Sequence, residues 1–164
     1  MSATDQLLQN AKSYASSFDA GDAPIPPAQK VAVVACMDAR ILPSQLLGLQ
    51  VGDAHVIRNA GGVVTDDAIR SLAISQRLLG TEEIVLIHHT DCGMLTFDDG
   101  SFKQSIEDDT GIRPSWAAEA FGDLEGDVRQ SINRIKASPF VPNKDGVRGF
   151  VYDVKTGALD EVKA

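Results

Sequence analysis

The 164-residue chain reads as an α/β protein built on an open, mostly parallel sheet. Three observations predict this. Short β-branched apolar runs at Val31–Ala35, Ala54–Ile57 and Ile84–His88 have the length and composition of buried parallel strands. Between them lie stretches with helical periodicity and capping residues, the rhythm of βαβ units, whose crossovers are right-handed. Near the end, Val147–Val154 and Ala158–Val162 flank the turn signal Lys155-Thr156-Gly157, which predicts a fourth strand and an antiparallel fifth strand at the sheet edge.

Taken in order, residues 4–19 predict an amphipathic helix. Leu7, Leu8, Ala11, Tyr14, Ala15 and Phe18 recur at helical spacing, with Thr4 as the cap and Asp5 in the first turn. Three prolines within Ala20–Pro27 end it. Residues 1–27 thus form an N-terminal helical arm and Pro-rich strap, suited to packing on a neighbouring chain or on their own domain. Residues 28–164 form the α/β core of a single domain. Pro43 to Gly48 predicts a short helix, Pro first and Gly last. Thr65 caps a long helix that Gly80 closes, with Ala68, Leu72, Ile74, Leu78 and Leu79 supplying much of its apolar surface. After the third strand come one turn at Gly93–Phe97, a short helix over Phe102–Asp109 and a link at Arg113–Trp116. An amphipathic helix over Asp123–Ala137 turns Leu124, Val128, Ile132 and Ile135 inward.

Composition bounds the function. The hydrophobic share is 43% and the charged share 23%, ordinary for a globular domain. No apolar stretch approaches the roughly 20 residues of a membrane span, and the first residues carry no secretory pattern. The cytoplasm is the expected location. A net charge of −8 argues against nucleic-acid or anionic-membrane partners, which need clustered cations. Two cysteines in a reducing compartment are not expected to form a structural disulfide, and two small buried hydrophobes are their bland alternative.

Their neighbours favour chemistry. Cys36 follows the first strand. His89 and Cys92 follow the third, where ligands of open parallel sheets collect. Two thiolates and one imidazole make a three-ligand zinc set with an open position. One ion reaches all three if the first and third strands are neighbours, which gives the order 2-1-3-4. Because two thiolates cancel the ion's charge, a hydrolytic activity should rise with pH. On an extended stretch Cys36, Asp38 and Arg40 share a side. Asp38 can then fill the fourth metal position, or pair with Arg40 and accept a hydrogen bond there.

Cys36-x-Asp38-x-Arg40, followed some fifty residues later by His89-x-x-Cys92-Gly93, resembles the β-class carbonic anhydrases. The segment Gly52-Asp-Ala-His-Val-Ile-Arg-Asn-Ala-Gly61 resembles their second strand and loop, and Gly149-Phe-Val-Tyr-Asp153 with Thr156-Gly157 resembles their terminal hairpin more loosely. The resemblance implies Zn²⁺ on Cys36, His89 and Cys92, with Asp38 and Arg40 as a catalytic dyad. It implies reversible hydration of CO₂ to bicarbonate by zinc-bound hydroxide. It also implies a homodimer, often paired into tetramers, with the N-terminal helix reaching over the partner. His55 stands where many relatives carry an aromatic residue lining the substrate pocket. It either packs under the Arg58 loop or relays protons. His88 should face away from the site, Asp91 and Gly93 should shape the ligand turn, and Arg58 and Asn59 should brace it. Two alternatives remain: hydrolysis of CS₂ or COS on the same scaffold, and a non-catalytic zinc-storage or thiol-sensing protein.

Overall fold

The computed structural model describes residues 2–163. Its single sheet runs β2-β1-β3-β4-β5, with β1 at Val31–Cys36, β2 at Ala54–Asn59, β3 at Glu83–His89, β4 at Val147–Tyr152 and β5 at Leu159–Val162. The first four strands are parallel and β5 pairs antiparallel with β4, as the sequence predicts. β1 is an interior strand, paired with β2 and β3 and covered on both faces. That is why its apolar run does not alternate with polar residues. Register aligns Val31 with both Ala54 and Glu83, so β1, β2 and β3 end nearly level.

On one face, α3 (Asp66–Leu79) and α5 (Leu124–Ala137) close a core in which Leu72, Val128, Ile132 and Ile135 meet Ala32, Val34, Ile84 and Leu86. Each such side chain contributes about 1.5–3 kcal/mol on full burial. On the other face the cover is thinner. The short α2 (Pro43–Leu47) and the turn after it set Leu46, Leu47 and Leu49 against Val33, Ala35 and Ile87. Gly48 and Gly80 both cap their helices in the left-handed conformation, as their positions imply. α4 (Asp99–Thr110) begins earlier than the apolar pattern suggests. The Asp98 carboxylate accepts from the Ser101 amide at 2.9 Å and adds a first turn of polar residues.

Three expectations are corrected. α1 spans Ala3–Ser16 and is capped by Ser2, not Thr4. Ser2 Oγ accepts from the Asp5 amide, and Asp5 accepts from the Ser2 amide at 2.7 Å, a reciprocal capping box. This pair satisfies two backbone donors, where Thr4 would satisfy one. None of the side chains described in α1 is buried. Second, Ile74 and Leu78 do not pack inward; Leu78 is 76% exposed. α3 turns its 68-72-75-76 face to the sheet instead, burying Ser75 and Gln76. Ser75 Oγ pairs with Thr81 Oγ1 at 2.7 Å, and the Gln76 amide bonds the Asn143 backbone in both directions. Polar groups sit inside because each has partners. Third, Arg58 and Asn59 belong to β2 rather than to the loop after it.

Candidate active site

The three sequence-predicted ligands converge at the carboxyl ends of β1 and β3. Cys36 is the last residue of β1 and His89 the last of β3. Cys92 lies three residues on, after a turn in which Asp91 takes the left-handed conformation, φ 55°. Asp is one of the few non-glycine residues that adopts it readily. The sulfurs of Cys36 and Cys92 and a ring nitrogen of His89 lie within 4.8 Å of one another, and all three residues are buried. Both thiols are free.

His89 fits a metal on its own evidence. Its Nδ1 lies 2.8 Å from the Thr90 carbonyl. A carbonyl only accepts, so Nδ1 carries the hydrogen. Nε2 is buried with no hydrogen-bond partner, facing the sulfurs with its lone pair. A backbone carbonyl that fixes the imidazole tautomer in this way is the usual outer support of a metal-bound histidine. The two sulfurs act as one unit. A hydrogen bond from Cys92 is the main influence pulling the Cys36 thiol down, to about 4, with His89 assisting. The same bond, with burial, pushes Cys92 up. Burial works against charge on His89, but the Cys36 sulfur, the Thr90 carbonyl and Asp38 together outweigh it and raise the imidazole. A divalent cation would relieve this strained sharing of protons by taking both sulfurs as thiolates.

Asp38 and Arg40 meet by a different route from the one expected. The strand ends at Cys36. Residues 38–41 form a turn in which Ile41 N donates to the Asp38 carbonyl at 3.1 Å. Within it the Arg40 amide and Nε donate to Asp38 Oδ1 at 2.8 and 3.0 Å, and Nη2 donates to Oδ2 at 2.8 Å. A turn, not strand alternation, makes the pair. The guanidinium holds the Asp38 carboxyl well below the usual range and is itself stabilised as a cation by Asp38 and Asp91. Asp38 Oδ2 sits 3.7 Å from His89 Nε2, so the pair overlooks the Cys36–His89–Cys92 cluster.

Arg58 braces the site as expected. Its Nε and Nη2 donate to the Cys36 carbonyl at 3.1 and 2.8 Å, and Nη2 also reaches the Asp38 carbonyl at 2.8 Å. Asn59 Nδ2 holds the Val63 carbonyl at 2.8 Å, at the end of the short turn that carries Gly62 under β1. A cavity of about 420 Å³ opens over Cys36, Asp38 and Cys92, walled by Met37, Met94 and Phe97. The same three wall residues also line an adjoining, larger apolar hollow floored by Ala60 and Ala68.

The carbonic anhydrase family profile matches residues 31–159. β-Carbonic anhydrase 1 of Mycobacterium tuberculosis is 60% identical over 162 residues, covering 99% of this chain and 99% of that protein. The chain belongs to the β-carbonic anhydrase family. A crystal structure of carbonic anhydrase from Streptococcus mutans superposes with a TM-score of 0.92 at 42% identity, covering 99% of each chain. A carbon disulfide hydrolase of Acidithiobacillus thiooxidans is 32% identical over 156 residues, covering 82% of this chain and 78% of that protein.

Within this member of the β-carbonic anhydrase family, two histidines lie outside the Cys36–His89–Cys92 cluster. His88 points to the opposite face from His89, and its Nε2 lies 2.6 Å from Asp127 Oδ2 on α5. His55 is neither in the substrate pocket nor under the Arg58 loop. It aligns with Ala32, four residues before the end of β1, roughly 13 Å back along the strand. Its Nδ1 lies 2.7 Å from Ser75 Oγ on α3, where it lines a separate cavity with Ile74 and Leu79. That placement argues against a direct proton relay through His55. What the sequence reading missed is Asp91 as an ion partner of Arg40, at 2.7 Å. The only signal for it was an acidic residue between two metal-ligand candidates.

Proposed function

We propose that this β-carbonic anhydrase is a zinc enzyme that interconverts carbon dioxide and bicarbonate. The observation that carries the reading is the orphaned His89 Nε2 facing two buried free sulfurs, beside a carboxylate already committed to an arginine. Cys36, His89 and Cys92 would hold the ion. Two sulfurs and one imidazole suit zinc better than the hard oxygen-seeking cations and leave one coordination position open. Bound there, zinc supplies the Lewis acidity that makes water a competent nucleophile near neutral pH.

The chain's own residues do the rest. Asp38, kept ionised by Arg40, offers acceptor oxygens only, so it orients a water by taking a hydrogen bond from it. Because Arg40 engages both its oxygens, Asp38 is drawn away from the open metal position rather than into it. Arg58 holds the carbonyls on either side of Met37 and so sets the spacing between Cys36 and Asp38. Met37, Met94 and Phe97 give a small, uncharged substrate an apolar berth, and the solvent-open mouth lets the anionic product and the proton depart. Activity is expected to rise with pH, since two thiolates offset much of the ion's charge. We also infer a cytoplasmic homodimer, with tetramers open to it. Support comes from α1, which presents Leu7, Leu8 and Tyr14 to solvent on an arm fit to cross a second copy.

Metal analysis of the purified protein with stopped-flow CO₂ hydration tests this reading. The expected result is one zinc per chain and turnover that increases from about pH 7 to about pH 9, a window around the range of zinc-activated water. Protein without metal, or zinc protein inactive throughout that window, would overturn it. A parallel assay with CS₂ separates the activity for which the A. thiooxidans relative is named, and zinc retained without turnover on either substrate would indicate a thiol-based storage or sensing role.

A further inference from the structure

Arg40 spends its whole guanidinium on two carboxylates from different parts of the chain. One edge, Nε and Nη2, faces Asp38. The other reaches the ligand turn: Nη1 donates to Asp91 Oδ2 at 2.7 Å and Nη2 to the Asp91 carbonyl at 2.9 Å. Asp91 lies between His89 and Cys92, with its backbone in the left-handed conformation that directs the carboxylate and carbonyl to the same arginine. The guanidinium is planar and rigid, so anchoring one edge fixes the direction of the other. The Arg40 stem offers little restraint of its own, since the side chain is 45% exposed.

We propose that Asp91 is a positioning residue that holds Arg40, and through it Asp38, in the orientation that keeps Asp38 out of the metal's open position. The inference rests on the reading of Asp38 and Arg40 as the catalytic pair. Asp91 touches neither the substrate space nor the ligand atoms. It acts by tying the β1 turn to the β3 turn, so the two loops that carry the ligands move as one. With its carboxylate gone, Arg40 swings on its stem, and Asp38 loses the directed partner that draws it away from the ion.

Two variants test this without breaking the turn. Asp91→Gly and Asp91→Asn both accept positive φ, but the first removes the acceptor and the second keeps a neutral one. Asp91→Gly is expected to retain full zinc, to lower kcat for CO₂ hydration about two- to fivefold, the range an exposed ion pair supports, and to leave KM unchanged. Asp91→Asn falls between it and the parent. In an Arg40→Gln background Asp91→Gly should cause no further loss, because both changes break one chain of contacts. The cobalt(II)-substituted protein gives a readout independent of turnover. At fixed neutral pH, the visible absorption of Asp91→Gly should shift as Asp38 enters the metal's coordination, and the shift should vanish in Asp91→Gly/Asp38→Ala. Parent-like kcat with a parent-like cobalt spectrum would overturn the proposal. So would losses that multiply in the Arg40→Gln background, or a variant that sheds its metal, either of which would make Asp91 a turn-former only. An inactive parent defeats the functional reading, while the cobalt spectra still decide the role of Asp91.

Discussion

Replacing Gly62 with alanine should disable the scaffold beneath the metal cluster more than any exposed change near it. Gly62 has φ +72°, and a Cβ there would stand 2.8 Å from the Cys36 amide nitrogen, 2.8 Å from the Ile87 carbonyl oxygen and 3.1 Å from the Ala35 carbonyl carbon. All three are backbone atoms of the two central strands, so no side chain can rotate aside. Gly80 provides the control. Its φ is +71°, with nothing within 4 Å of its would-be Cβ. Gly80→Ala meets only the left-handed penalty of about 1–2 kcal/mol, offset by about 0.4–1 kcal/mol from a stiffer unfolded chain. It should therefore cost about 1 kcal/mol. Gly62→Ala adds an overpacking cost of about 1–3 kcal/mol, for a total near 2–4 kcal/mol. That is a large part of a typical domain's stability of about 5–15 kcal/mol. Urea unfolding of the zinc-loaded proteins measures both, and the thermal midpoint should drop by roughly 2–4 °C per kcal/mol for a chain of this size. Zinc affinity should also fall for Gly62→Ala alone, because the strain is relieved by moving Cys36. Equal destabilisation by the two variants, or parent-like zinc affinity in Gly62→Ala, would refute the argument that close backbone contact under Cys36 requires glycine.

Other outcomes follow from the same geometry. Cys92→Ser should lose zinc, measured as metal per chain after dialysis. Asp38→Ala should keep zinc and lose most CO₂ hydration, on the order of 10²-fold for a positioned proton acceptor; loss of zinc in that variant would make Asp38 a required ligand. His55→Ala should leave turnover at low buffer concentration unchanged while lowering stability by about 0.5–1.5 kcal/mol, because Ser75 loses one hydrogen bond and keeps its Thr81 partner; reduced turnover at low buffer would contradict the placement of His55 against α3. The contribution of Asp99 to stability should be constant from about pH 8 to about pH 5 and should decline as pH falls below about 4. Asp99 accepts hydrogen bonds from the amides of Ala118, Glu119 and Ala120, and these hold its carboxyl below the ordinary value, the Ala120 amide most strongly. A depressed carboxylate contributes stability that is complete above the unfolded value near 3.9 and is lost as pH falls toward the folded one. Asp99→Asn should flatten that acid limb in a pH series of urea midpoints.

The parts of this molecule legible in the sequence are those governed by local rules. The apolar runs Val31–Ala35 and Ile84–Ile87 announce the cores of β1 and β3 because strands buried on both faces favour apolar residues. Gly48 and Gly80 mark helix ends because left-handed caps select glycine. Asp38 and Arg40 are two residues apart, so their meeting requires only a turn. The inward face of α3 is not legible, because Ser75 and Gln76 are buried by partners at Thr81, His55 and Asn143, none of which a helical period registers. The Asp91–Arg40 contact spans 51 residues, and no spacing rule relates them. The place of His55 is not legible either, because the position of a residue along its strand, not its distance in sequence from Arg58, decides whether it reaches the carboxyl-end crevice.

Strand order, more than any single ligand, makes the cluster possible. Were the sheet arranged in chain order, β2 would separate β1 from β3. Cys36 and His89 would then start about 10 Å apart, whereas zinc bonds of about 2.0–2.3 Å require donor atoms within a few ångströms of one another. Placing β3 directly beside β1, with Ala35 level with Ile87, brings the two strand ends together. The same order sends the connections on either side of β1 apart. The chain leaving β1 passes into α2 on one face, and the chain leaving β2 passes through Gly62 into α3 on the other. Where such connections diverge, a crevice opens at the carboxyl edge. Met37 and Asp38 line one wall of it and Ala60 and Gly61 another. The cavity over Cys36 and Cys92 is therefore a consequence of topology, with Asp38 in its lining and Arg40 joining Asp38 to Asp91 at its edge.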